Sequence, residues 1–232
     1  ADAQEDSRDL FINQVSADAA AKGLLDAAKQ DLTSKGYGDD KKANIALVSS
    51  TGTDANQNAW QAAIEELLTT DDYSFMVIQN KDTDILYPGT DETKVNAECA
   101  TLISRMGPGE DQIQAAIALS SMSTPALGAQ YESAASKPDA TVITLTGLAT
   151  PNALKTYIKD ENNPLSTGVL WNCMDLGYLA VQTAYQLTTG EITTDSESIT
   201  AGRLGDKEIT DRQVVLGDAL VFDASNVDEF DY

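Results

Sequence analysis

The stretch Thr51–Trp60, TGTDANQNAW, is the most informative short segment of the chain. It places Asn56, Gln57 and Asn58 at the start of a predicted helix, where side-chain amides and free backbone N–H groups point outward together. An amide both donates and accepts, and a hydroxyl does the same, so this cluster suits a hydroxylated ligand. Trp60 beside it would suit the face of a sugar ring. Two plainer roles fit the same residues: Asn56 as a helix cap and Trp60 as a core side chain. Small hydroxyls and amides recur after other predicted strands, at Ser120, Ser121, Ser123, Thr146, Thr150, Asn152 and Asn172. Each alone is an ordinary turn residue. Together at one sheet edge they would line a mouth with neutral polar groups, which fits a neutral polyol.

Catalytic chemistry finds few carriers. The chain has no histidine, which removes Ser-His-Asp and Cys-His triads and imidazole-dependent zinc sites. Cys99 and Cys173 stand far apart with no CxxC and are read as two unpaired thiols. A glycosidase would need two acids facing the mouth. Only Asp54 and Asp175 are placed for that, and Asp175 fits equally well as a favourable charge in the first turn of a helix. There is no GxxxxGK[ST] or GxGxxG, and Gly107-Pro108-Gly109 follows a helix instead of a strand. The expectation is a binding protein that is no enzyme and uses no cofactor or metal.

Acidic residues number 37 against 15 basic, a formal charge of −22. That repels phosphate backbones and anionic headgroups, so nucleic acid is not expected as a partner. With 42% hydrophobic residues in 232, the chain can build a substantial core. No apolar run reaches the roughly 18 residues that a membrane span requires.

The elements that must position the mouth alternate between strand and helix. Strands are expected at Leu10–Ile12, Ile45–Val48, Phe75–Ile78, Ala115–Leu119, Val142–Leu145, Gly168–Trp171 and Ala219–Phe222. Helices are expected at Ser16–Lys35, Gln57–Leu68, Glu92–Met106, Thr124–Ser136, Pro151–Lys159 and Met174–Thr189. From Glu191 to Leu216 periodicity is lost, and the segment reads as a surface loop with room for short strands. The pattern predicts an α/β fold with a doubly wound parallel sheet, which binds ligands beyond the carboxyl ends of its strands. That rule selects the loops Ser49–Gln57, Asn80–Asp84, Ser120–Ser123, Thr146–Thr150 and Asn172–Asp175.

Three stretches, INQVSADAAAKGLLDA (Ile12–Ala27), SSTGTDANQNAWQAAI (Ser49–Ile64) and TGLATPNALKTYI…GVLWNCMDLGYLAVQTA (Thr146–Ala184), carry a resemblance. They resemble the type I periplasmic sugar-binding proteins of ABC importers, nearest to the rhamnose-binding and autoinducer-2-binding branch. The closing ALVFDASNVDEFDY is similar as well. The resemblance implies an extracytoplasmic receptor, in a periplasm or as a cell-surface lipoprotein. It would close two Rossmann-like lobes on a sugar or autoinducer-2-like ligand and deliver it to an ABC permease. A sugar-sensing regulatory or receptor domain of the same fold is the alternative.

By the same resemblance Asn56-Gln57 matches a ligand-contacting pair, with Asn56 in place of the branch's aspartate. Leu119-Ser120-Ser121 stands where the branch has a proline-x-alanine contact, so Leu119 and Ser121 are implied ligand contacts. Asn172 takes a hinge position that faces ligand. The chain is further expected to lack most of an N-terminal lobe. Residues 1–14 would be its remnant, 15–171 the C-terminal α/β lobe, 172–216 a helix and loop belonging to the N-terminal lobe, and 217–232 a final strand and tail. The 176–187 helix face (Leu176, Leu179, Ala180, Thr183, Ala184, Leu187) would then lie uncovered, ready for a homodimer or a complementing N-terminal fragment.

Overall fold

The computed structural model describes residues 7–232; the first six residues of the expected 1–14 segment lie outside the described residues. Strand β1 (Phe11–Asn13) is followed by α1 (Ala17–Ser34), which starts where Ser16 Oγ accepts the Ala19 N–H at 3.1 Å. It stops at Gly36, whose φ of 82° is open to glycine at no steric cost. Then come β2 (Ala43–Val48), α2 (Ala55–Leu67), β3 (Met76–Val77), α3 (Lys81–Asp84), β4 (Ile85–Leu86) and α4 (Glu92–Ser104). The alternation continues through β5 (Ala115–Ala118), α5 (Ser123–Ser133), β6 (Thr144–Gly147), α6 (Pro151–Ile158), β7 (Thr167–Leu170) and α7 (Cys173–Thr189). Strands β8 (Ser198–Thr200), β9 (Asp206–Thr210), β10 (Gln213–Val215) and β11 (Leu220–Asp223) follow.

The main sheet is parallel, in the order β3-β2-β5-β6, with β4 also pairing β2. Isolated parallel bridges Leu145–Leu165 and Leu148–Val169 join β6 to the β7 region, and β11 closes that side antiparallel to β7. All six residues of β2 are buried, as expected for a strand covered on both faces. Ala43, Ile45 and Leu47 pack with α1 and α2, whereas Ala46 and Val48 pack with α4, α5 and α6. This is the expected doubly wound α/β architecture.

Three expectations are corrected. The segment 191–216 is not a loop: it holds β8, β9 and β10, which join β1 in a second sheet of order β1-β10-β9-β8. The β9–β10 hairpin turns on Asp211 and Arg212, both at positive φ (50° and 58°). Hairpin turns of that hand usually carry Asn or Gly, so this one has no signature. The second correction concerns the 176–187 face. Leu179 and Thr183 are buried, and Leu176 and Leu187 pack with Ile12, Ile199, Val214 and Leu216 of the second sheet. The outward stripe is a different one, with Met174, Val181 and Tyr185 exposed at 69%, 67% and 59%.

The third concerns Asn80–Asp84, which is not at the mouth. The strand expected over Phe75–Ile78 forms as the short β3, which pairs with Ala43 and Asn44, and an unexpected further strand, β4, pairs with Leu47 and Val48. The 80–84 turn lies between them, and its buried Asp84 is held by Arg105, by the Asn80 N–H (3.0 Å) and by Thr83 Oγ1 (3.0 Å).

Strands β5 and β6 approach so closely at their ends that Gly147 has no room for a side chain. A Cβ there would meet Ala118 O at 2.4 Å and Thr124 Oγ1 at 2.6 Å. Gly147→Ala is therefore expected to destabilise the protein by about 1–3 kcal/mol, read as a lowered urea midpoint. An unchanged midpoint would show that the strands can part at no cost.

Candidate functional site

The carboxyl ends of β2, β4, β5, β6 and β7 share one edge because these strands are parallel. The helices that follow begin there too. The β2–α2 loop is fixed by Gln57: its Oε1 accepts the Ser49 hydroxyl at 2.7 Å and the Ser50 N–H at 2.6 Å. Asp54 caps α2 by accepting the Gln57 N–H at 3.0 Å, and Asn58 Nδ2 donates to Gly52 O at 2.9 Å. Gln57 is buried by these bonds. Asn56 beside it is half-buried, and its amide makes no hydrogen bond among the described residues. The cap is thus Asp54 and not Asn56, which leaves both ends of the Asn56 amide available.

After β5, Leu119 is buried in the core and its N–H donates to Val48 O at 2.8 Å. Ser120 Oγ accepts the Ser123 N–H at 3.1 Å and shares a hydrogen bond with Ser123 Oγ at 2.8 Å. Ser121 is exposed at the tip. Thr124 Oγ1 lies within hydrogen-bonding distance of Ser120 O (3.0 Å) and Leu148 O (2.8 Å), which links the loops after β5 and β6. Thr146 lies inside β6: its hydroxyl donates to Thr167 O at 3.0 Å and accepts from Thr167 Oγ1 at 3.1 Å. It lies below the mouth, and Thr150 stands at the rim as the residue before α6.

After β7, Trp171 packs against all three hydrophobic clusters of the protein, and its ring lies 6.2 Å from that of Trp60. Trp60 is accordingly a core residue. Asn172 caps α7, its Oδ1 accepting the Met174 and Asp175 N–H groups, each at 3.0 Å. Its Nδ2 is left as a donor with no partner among the described residues. Asp175 is bound to Arg203 at 2.5 Å, and the guanidinium lies over the Tyr178 ring at 4.6 Å. Both carboxylates at the mouth thus serve local structure. The order of roles missed by sequence reasoning is that of Asp54, Arg203 and Tyr87. The Tyr87 hydroxyl donates to Gln61 at 2.7 Å beside the same rim; no sequence spacing links these partners.

A cleft of about 540 Å³ lies at the opposite, amino edge, lined in part by Tyr37, Lys41, Asn44 and Gln114. There the Asn44 and Gln114 amides are spent on the loop 107–112: Gln114 Nε2 lies within reach of the carbonyls of Gly107, Gly109 and Gln112.

A family profile described as a periplasmic binding protein domain matches residues 1–192. The chain belongs to the periplasmic binding protein domain family. The family is one of binding proteins, and its setting is extracytoplasmic; no helix among the described residues is long and apolar enough to cross a membrane. A sugar ABC transporter protein from Actinomyces odontolyticus is 28% identical, with a TM-score of 0.80 over 100% of this chain and 69% of that one. An ABC transporter solute binding protein from Clostridium phytofermentas, solved with L-rhamnose, is 24% identical over 97% of this chain and 68% of its own, with a TM-score of 0.77. LsrB from Clostridium saccharobutylicum, in complex with AI-2, is 20% identical over 100% and 73%, with a TM-score of 0.83. No curated protein sequence matches the chain.

In this periplasmic binding protein domain the two cysteines are free. Burial pushes the Cys99 thiol up to about 12, aided by the charge of Glu98, and burial also raises Cys173, which remains exposed. At pH 8 a thiol reagent should modify one cysteine of the native protein and two after denaturation. Rapid native labelling of both would contradict the core position of Cys99. Gln57→Ala should cost about 1–3 kcal/mol, because it strands the Ser49 hydroxyl and Ser50 N–H. Asn56→Ala should stay within about 0.5 kcal/mol of the parent in urea unfolding. Equal losses would place the two amides in the same role.

Proposed function

We propose that the chain is the solute-binding component of an ABC-type carbohydrate importer and takes a neutral monosaccharide or related polyol at the carboxyl edge of its main sheet. The supporting observation is the division of labour at that edge. Asn56, Ser121 and the Asn172 amide nitrogen are accessible and uncommitted, whereas Asp54 and Asp175 are held in structural bonds. Neutral groups that donate and accept match hydroxyls, and the two acids placed at the mouth, Asp54 and Asp175, are not free to act as a hydrolytic pair. The 28% identical sugar ABC transporter protein, and neighbours solved with L-rhamnose and AI-2, support the same ligand class.

Ligand contacts are assigned to Asn56, Ser121 and Asn172. Gln57 and Leu119 act behind them, one holding the β2–α2 loop and the other seating the β5–α5 loop. The divisions at residues 14, 171 and 216 are kept as those of two units, since β1, α7 and β8–β10 share a hydrophobic cluster of their own. Delivery would be to a membrane permease, from a periplasm or from a lipid-anchored position. Contact with a second copy or a complementing fragment is assigned to the Met174–Val181–Tyr185 stripe instead of the 176–187 face.

Titration of L-rhamnose, D-arabinose, D-allose and AI-2 by calorimetry should give saturable heat for at least one. Asn56→Ala should weaken that binding about three- to tenfold, as expected for one hydrogen bond. Silence across the panel would overturn the reading.

A further inference from the structure

The two free amides of the mouth follow strands that do not touch. Asn56 comes after β2 and Asn172 after β7, and β5 and β6 lie between those strands in the sheet. At about 4.8 Å per strand spacing, the ends of β2 and β7 stand roughly 14 Å apart. No direct ladder bond between these strands sets the separation of the two amides. Local bonds fix each side on its own. Gln57 ties the β2–α2 loop to Ser49 and Ser50, and the Asn172 oxygen binds the start of α7.

Side chains join the two sides. The chain has two tryptophans, and they meet with ring centroids 6.2 Å apart and planes tilted by 50°. Trp60 lies four residues after Asn56 in α2, so the two share a helix face one turn apart. Trp171 immediately precedes Asn172 in the connection from β7 to α7. Each indole is thus one helical turn or one residue from a free amide. Trp60 is buried, and Trp171 alone among the described residues packs on all three hydrophobic clusters. A side chain held from three directions has little freedom to shift. Aromatic pairs at this spacing add stability beyond the area they bury, so the contact has a defined geometry.

We propose that Trp60 and Trp171 are positioning residues of the mouth, whose ring contact sets the separation of the Asn56 and Asn172 amides so that one small polyol engages both. The inference rests on the carbohydrate-binding reading above and adds to it two residues that act without touching the ligand. Phenylalanine at either position keeps an apolar ring in the core but is too short to hold the contact. Affinity then falls because the amides lose their preset spacing. A pair that only filled the core would lower stability and leave the contribution of each amide to binding as it was.

Trp60→Phe and Trp171→Phe open the same contact from opposite sides, so one folded variant is enough for the test. Urea unfolding shows which of them is folded under the titration conditions. Calorimetric titration with L-rhamnose, D-arabinose, D-allose and AI-2 then compares each with the parent. The expected result is binding weakened about five- to tenfold for the ligand that the parent binds. Adding Asn56→Ala to either variant should cost less than about twofold more, although it costs about three- to tenfold in the parent. Unchanged affinity in a folded variant overturns the proposal, and so does an undiminished effect of Asn56→Ala in its background. A parent silent to all four ligands overturns the carbohydrate reading, whereas a parent and variants that bind equally well overturn this inference alone.

Discussion

Strand β2 is buried along its whole length, and this constraint organises the rest of the molecule. Alternate side chains of Ala43–Val48 enter opposite hydrophobic clusters, so helices must cover both faces of the sheet. Parallel neighbours on each side, β5 on one and β3 and β4 on the other, require crossover connections, here supplied by helices. Each crossover starts at the carboxyl end of a strand. The helices α2, α5, α6 and α7 therefore begin along one edge, and that edge collects the loops and their polar residues. Placing the mouth there follows from hydrophobic burial in the strands and needs no special property of the loops.

What the loops add is a partition between side chains that hold the mouth in shape and side chains left free. Gln57, Ser120, Thr124 and Thr146 all make internal bonds of ordinary length. Their loss would strand buried donors or acceptors, which is costlier than the bond itself. Asn56, Ser121 and the Asn172 nitrogen have no such duty among the described residues. Asn172 serves both purposes at once, its oxygen capping α7 and its nitrogen left over. The rigid set preorganises the free set, and preorganisation is how a small neutral ligand can be held with few contacts.

The alternation of strands and helices was legible because each helix-forming stretch carries a strong stop or start. Ser16 and Gly36 bracket α1, Pro151 opens α6, and Gly190 closes α7 at a φ of 77°. Apolar runs of four to six residues marked β2, β5 and β7. The second sheet escaped notice because its strands are short and exposed on one side, and its hairpin turns on Asp-Arg. The short strand β4 was equally hidden, since the turn before it is held by Asp84, which pairs with Arg105 at the end of α4. At the site, residue types showed which side chains could bind a polyol. Only tertiary contacts show which are already occupied: Gln57 and Asn56 are adjacent amides, indistinguishable in sequence, yet one is held by internal bonds and the other makes none among the described residues.

The account's central claim is that ligand binds at the carboxyl edge of the main sheet. An amide-resolved NMR titration of the labelled chain with L-rhamnose, and with the other neutral sugars in turn, addresses it most directly. The account predicts shifts concentrated at residues 50–58, 119–123, 149–152 and 171–175. Shifts confined to the amino-edge cleft around Tyr37, Asn44 and Gln114 would contradict it, as would a spectrum unchanged by every sugar.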